Sequence, residues 1–226
     1  MKKQGNISAV LWDMDGTLID SESLHYEVLA ALCRRDGLEW TREENGAVVG
    51  ATMKDKWLYL KQNLGFSRPM ANWLEEFNHE YRRRLTPELG FGSQITVVRR
   101  LHELNIPMAC VSNGEQEVVQ ANLQALGIGH CFSVVIAHGD CPRGKPSPDP
   151  YLKACSLLQC LPERCLAVED SALGTRAALD AGLVTVVWPA QSALPWDGPK
   201  ADYIVRDQVF PWKSLGIDSG HLDMSV

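Results

Sequence analysis

From Gly92 onward the chain alternates between two kinds of segment. Short apolar runs, "IPMACVSNG", "FSVVIAHGD", "RCLAVEDS" and "LVTVVW", with a weaker "DYIV" near the end, are rich in Val, Ile and Ala. None alternates cleanly with polar residues, so each reads as a strand buried on both faces. Between them lie amphipathic stretches. "QITVVRRLHELN" puts Ile95, Val98, Leu101 and Leu104 on one face, and "EQEVVQANLQALG" stops at Gly127. "PDPYLKACSLLQ" and "LGTRAALDAG" behave likewise, the latter closing on Gly182. Glycine just past the last periodic residue is a helix stop. Strand and helix in strict alternation describe a parallel sheet wrapped by helices, an α/β fold.

One further strand precedes this region, in "AVLWDMDGTLIDSES". The chain from Asp20 to about Gly92 holds no convincing strand. "SESLHYEVLAALCRRDG", "MKDKWLYLKQNLG" and "MANWLEEFNHEYRRRL" are amphipathic, and a shorter helix is expected over Thr41 to Val49. This reads as a helical module inserted after the first strand. The expected division is residues 1–19 and 90–226 for the α/β core and 20–89 for the insertion.

The net charge of −6 disfavours a nucleic-acid or anionic-membrane partner, which would select a basic surface. No apolar run approaches a membrane span, and "MKKQGN" is not followed by a signal-peptide core. The seven cysteines form no C-x-x-C pair. Cys155, Cys160 and Cys165 are evenly spaced but fit no zinc pattern, so structural thiols in a reducing cytoplasm are expected.

In open parallel sheets, sites form at the carboxyl ends of the strands. Four such ends carry polar chemistry. Asp13-Met14-Asp15-Gly16-Thr17 presents two carboxylates that repel unless a cation or a shared proton intervenes. Val111-Ser112-Asn113-Gly114 offers a hydroxyl and backbone N–H groups, an anion cradle. "RGKPSPDPY" holds Lys145 in a proline-stiffened loop, where it can neutralise a phosphate. Ala167-Val168-Glu169-Asp170-Ser171 releases two more acids, the oxygen ligands a hard cation takes. Each alone also reads as a turn, a helix cap or a solvated lysine. Together they set a cation site beside an anion site, the arrangement of phosphoryl transfer.

The set "DMDGT", "VSNG", "GKPSPDPY" and "VEDSALGTRAALDAG" resembles the four motifs of the haloacid dehalogenase superfamily. The first, continued as "LIDSESLHYE", is similar to its β-phosphoglucomutase-like phosphatase branch. The resemblance runs from about Ile7 to Trp188. It implies a Rossmann-like core with a parallel sheet plus an inserted helical-bundle cap domain. It also implies Mg²⁺ held by Asp13, Asp15 (through its backbone carbonyl), Glu169 and Asp170. Asp13 is then the nucleophile and forms an aspartyl-phosphate, and Asp15 is the general acid and base. Ser112, Asn113 and Lys145 hold the phosphoryl oxygens, and Gly16 and Thr17 fix the phosphate-binding loop.

A phosphate ester needs both the acid and the metal, whereas a halide leaving group needs neither. Asp15 with Glu169 and Asp170 therefore argues for phosphate. Substrate choice is expected in the insertion, at "VVGATMKDKW", where Gly50 can flex and Lys54 and Lys56 either meet a leaving group or are solvated. His25 stands at the start of the insertion. Met53 and Phe77 occupy the positions where the mutase carries an arginine and a lysine. Trp57 and Trp73 are expected in the core, and "YRRRL" at a solvated helix end. The leading expectation is a monomeric phosphatase for a small phosphorylated metabolite. The alternatives are a hexose-phosphate mutase and a non-catalytic phosphate-binding protein.

Overall fold

The computed structural model describes residues 7–48, 51–189, 196–206 and 208–217. The chain divides into two compact units, one of residues 1–20 and 87–226 and the other Ser21–Thr86.

In the first unit, six strands form one sheet among the described residues: β1 (Ala9–Trp12), β2 (Met108–Val111), β3 (Val134–Ile136), β4 (Cys165–Glu169), β5 (Val184–Val187) and β6 (Tyr203–Ile204). Their order is β3-β2-β1-β4-β5-β6, and every neighbouring pair is parallel. The expected parallel α/β architecture is therefore present, down to the weak strand in "DYIV". β1, β2 and β4 are buried along their whole length, which is why their sequences carry no polar alternation.

Side-chain period 2 sends alternate residues to opposite faces. On one face Ala9, Leu11, Ala109, Val111, Cys165 and Ala167 share a core with Tyr151, Ala154, Cys155, Ala177 and Ala178. The last five come from α7 (Asp149–Leu157) and α8 (Ala172–Asp180). Alanines at the contacts let these helices approach the strands closely. Trp12 points to the other face and stacks on Phe210, which also stacks on Trp188. Helices α5 (Gly92–Glu103) and α6 (Gln116–Ala125) complete the alternation. All seven cysteines are free thiols; Cys155 and Cys165 are core residues and Cys160 packs at the margin.

The second unit contains α1 (Ser21–Arg35), α2 (Arg42–Gly46), α3 (Met53–Asn63) and α4 (Met70–Arg84). α2 is shorter than the Thr41–Val49 expectation. Thr41 caps it in a capping box with Glu44, and Val49 lies outside the described residues. The unit is held by Leu24, Val28, Leu29, Leu32, Leu60, Phe66, Trp73, Phe77 and Tyr81, all buried. Trp73 is fully enclosed, whereas Trp57 is only partly buried and donates its indole N–H to the Arg68 carbonyl at 3.1 Å.

"YRRRL" is not a simple solvated helix end. Tyr81 is fully buried, and Arg83 and Arg84 donate to the buried Glu80 carboxylate at 2.7 and 2.8 Å. Arg35 of α1 reaches the same carboxylate at 3.4 Å, so Glu80 ties two helices together. Hydrogen bonds from Arg83 and then Arg84 hold the Glu80 carboxyl down at about 2. A depressed carboxylate stabilises the fold above its ordinary value of 4.5, and that contribution fades as pH falls toward about 2. Glu80→Gln should therefore lower Tm at neutral pH. The gap to wild type should narrow steadily between pH 4.5 and 2 in thermal melts. A gap of constant size over that range contradicts the assignment.

Candidate active site

The chain leaves β1 on one side to build β2 and β3 and returns on the other to build β4. The sheet's switch point therefore lies between β1 and β4, the crevice where open α/β sheets bind ligands. Asp13 follows β1 directly, its N–H on the Val168 carbonyl at 3.0 Å. The chain then turns tightly: the N–H groups of Thr17 and Leu18 both return to the Met14 carbonyl, at 3.3 and 2.9 Å. Gly16 sits at φ 82°, and a Cβ there would collide with the Asp170 carboxylate. Only glycine meets both demands at low cost. The turn is clamped from outside, because Asp20 N–H donates to Leu89 O at 2.8 Å and Phe91 N–H to Leu18 O at 3.1 Å.

Ser112 follows β2. Its hydroxyl donates to Asp15 Oδ2 at 3.1 Å and accepts from the Gly114 N–H at 2.9 Å. It is not the cap of α6, whose N-cap is Glu115. The Asn113 amide makes a two-way bridge to the Lys145 backbone, donating to its carbonyl at 3.0 Å and accepting from its N–H at 2.9 Å. Asn113 thus joins the second and third strand-end loops. Lys145 is buried and places Nζ at 2.6 Å from both Asp13 Oδ1 and Glu169 Oε1.

Glu169 ends β4 wholly buried. It also accepts from the Tyr151 hydroxyl, and from Ser171 Oγ at 3.4 Å. Ser171, not Asp170, caps α8 by accepting from the Gly174 N–H at 3.1 Å. This leaves Asp170 to face Thr17, whose hydroxyl donates to it at 3.3 Å. Asp13, Glu169 and Asp170 offer carboxylate oxygens that all lie within 4.8 Å of one another.

Two buried carboxylates and the half-buried Asp170 against one ammonium leave an excess of negative charge. Burial, then the Asp13 charge, pushes Glu169 up to about 7; burial, then Asp13 and Glu169, pushes Asp170 up to about 8. Asp13 is raised by burial despite Lys145. Burial alone would lower the Lys145 ammonium, but the Asp13 and Glu169 carboxylates hold it well above its ordinary value. An all-oxygen donor set with surplus negative charge fits a hard divalent cation. The Asp15 carboxylate is not part of that set and turns to Ser112 instead.

The four strand ends thus bring Asp13, Asp15, Ser112, Asn113, Lys145, Glu169 and Asp170 to one sheet edge. Tyr151 was missed. It lies in "GKPSPDPY", and its ring sits under the Lys145 ammonium at 5.0 Å while its hydroxyl holds Glu169. The insertion's candidates belong to the second unit. His25 is held edge-on by Phe77 and Tyr81, and burial followed by the Lys56 charge lowers its pKa to about 3, leaving the ring neutral. Lys54 is exposed in the first turn of α3, whereas Lys56 is buried, against the reading of both as solvated. Gly50 lies outside the described residues.

The family model of haloacid dehalogenase-like hydrolases matches residues 10–188. The chain belongs to this family of hydrolases. It is 28% identical over 188 residues to the bifunctional riboflavin kinase/FMN phosphatase of Arabidopsis thaliana, covering 81% of this chain and 48% of that protein. The chain thus spans about half the length of that relative. It is 26% identical to the phosphorylated carbohydrates phosphatase of Thermotoga maritima, covering 78% of this chain and 82% of that one. Among solved structures, CbbY from Rhodobacter sphaeroides in complex with phosphate superposes with a TM-score of 0.74 at 27% identity, covering 88% of this chain and 93% of that chain.

Gly174 tests the packing of the acid pair. A Cβ at this position would run into the Glu169 carboxylate. In an ordinary helix Gly→Ala stabilises by about 0.8–1 kcal/mol. Gly174→Ala should do the opposite and lower the urea midpoint; a raised midpoint would show that Glu169 is not packed there.

Proposed function

We propose that the chain is a Mg²⁺-dependent phosphatase that hydrolyses small phosphorylated metabolites, sugar phosphates included, through an aspartyl-phosphate on Asp13. The observation that carries this reading is the joint placement of Asp13, Lys145, Glu169 and Asp170 at the switch point, with Asp15 beside them. Asp13, Glu169 and Asp170, with the Asp15 backbone carbonyl, would hold Mg²⁺, which supplies the positive charge an anionic ester needs to approach a carboxylate.

The residues then divide the chemistry. An Asp13 oxygen attacks phosphorus as the bond from phosphorus to the leaving oxygen breaks. Asp15 gives that oxygen its proton, then takes one from the water that hydrolyses the aspartyl-phosphate, returning Asp13 to its starting state. Lys145 fixes the Asp13 carboxylate through Oδ1 and places a positive charge for the phosphoryl oxygens. Ser112 aims Asp15 through their hydrogen bond.

The relatives named above support phosphate esters of small metabolites as substrates. Phe77 packs among Trp73, His25 and Tyr81, so the position contributes no charge for a second phosphate. This favours hydrolysis over isomerisation of a sugar phosphate. The seven free thiols fit a reducing, cytoplasmic setting.

Asp13→Asn should abolish p-nitrophenyl phosphate hydrolysis with the circular dichroism spectrum unchanged. Asp15→Asn should lower kcat by roughly 10²–10⁴-fold. Full activity in the first variant removes the nucleophile assignment. In the wild type, chelation should stop turnover and added Mg²⁺ restore it; turnover undiminished by a chelator contradicts the metal requirement. A panel of phosphorylated metabolites, read by released phosphate, identifies the ester.

A further inference from the structure

At the opposite edge of the sheet stands a second cluster of metal-ligating side chains. His102 lies exposed in the last turn of α5. His130 and Cys131 form a 3₁₀ turn, Gly129–Cys131, that leads into β3. Both segments precede the strands they feed, so the cluster sits at the amino ends of β2 and β3, away from the strand exits that carry Asp13 and Glu169.

The geometry is that of a ligand set. The His102 and His130 rings meet edge to face, with centroids 5.2 Å apart. One ligand atom from each of His102, His130 and Cys131 can be chosen so that all lie within 4.8 Å of one another. Cys131 Sγ is 3.5 Å from His130 Nε2. A zinc ion with Zn–N of about 2.0–2.1 Å and Zn–S of about 2.3 Å at tetrahedral angles separates those two atoms by about 3.5 Å. Both imidazoles are exposed, leaving room for a solvent ligand, while Cys131 is buried. His130 also borders a shallow groove lined by Gln120, Gln124, Gly127 and Gly129.

We propose that His102, His130 and Cys131 bind one borderline transition-metal ion, Zn²⁺ or its like, at a site separate from the acidic one. The donors are nitrogen and sulfur, which Mg²⁺ does not favour and Zn²⁺ does. Binding is a proton exchange: the Cys131 thiol gives its proton to solvent as the thiolate–metal bond forms. The bound ion would fasten the end of α5 to the turn before β3.

Cobalt, a spectroscopic stand-in for zinc, tests this on the full chain after chelator treatment. One equivalent of Co²⁺ should produce a thiolate-to-cobalt charge-transfer band and tetrahedral d–d bands, both displaced by Zn²⁺. The all-oxygen site cannot give a thiolate band, so Asp170→Asn should retain it. Cys131→Ser should remove it. His102→Ala and His130→Ala, at exposed positions that leave the fold intact, should each weaken binding about tenfold or more. The proposal is overturned if the wild type shows no such band. It is equally overturned if the band survives Cys131→Ser, or persists at unchanged affinity when both histidines are replaced.

Discussion

Burying like charges is the constraint around which the catalytic unit is organised. Asp13, Glu169 and Asp170 are brought together at the switch point with one lysine to balance them. Carboxylates in a low-dielectric site are raised in pKa and driven toward the neutral form unless cations hold them. Much of the surrounding architecture serves that end. The sheet order places β1 beside β4, so two acidic strand ends become neighbours. Gly16 and Gly174 leave out the Cβ atoms that would displace Asp170 and Glu169. The Asn113 bridge fixes the loop from which Lys145 reaches inward.

Lys145 has two kinds of work that pull the same way. As a structural counter-ion, it keeps Asp13 and Glu169 from repelling; its loss would leave buried charge uncompensated, which costs far more than the pair contributes. It holds Asp13 by one oxygen, and in the proposed mechanism that same charge would meet an anionic ester. Tyr151 supports it from below, its ring under the ammonium and its hydroxyl on Glu169. Burial and the nearby Glu169 charge keep that phenol protonated, so it acts as a hydrogen-bond donor.

The sheet was legible in the sequence because a strand buried on both faces cannot hide its composition. "RCLAVEDS" and "LVTVVW" could be little else, and a polar residue at the end of such a run stands out against it. The helices of the insertion were legible by their period. What sequence could not supply was partnership across distance. Glu80 immediately precedes "YRRRL", which reads as a solvated helix end, yet Arg35 from another helix makes it a buried junction. Lys56 gives no local sign that it is buried. Tyr151 belongs to "GKPSPDPY", but its role depends on Lys145 and Glu169 folding onto it. Likewise nothing in the spacing of His102, His130 and Cys131 brings them together; the packing of α5 against the turn before β3 does.

A parallel sheet has a chemical direction, and this chain uses both ends of it. All strands point the same way, so every strand exit, with its loops and helix starts, gathers at one edge. That edge collects oxygen donors: carboxylates, a hydroxyl and an amide, the set a hard cation and a phosphate require. The other edge receives helix ends and turns that enter strands, and there the available donors are imidazole and thiol. The clustered acids and the His102, His130 and Cys131 set thus lie at opposite ends of the strands, although His138 and Cys141 also follow β3 on the side of Ser112 and Asn113. A site that mixed hard and soft ligands would bind the more competitive transition metals over Mg²⁺, following the affinity order of divalent ions. A donor set of carboxylates alone, Asp13, Glu169 and Asp170, is how a weakly competing ion such as Mg²⁺ could be retained there.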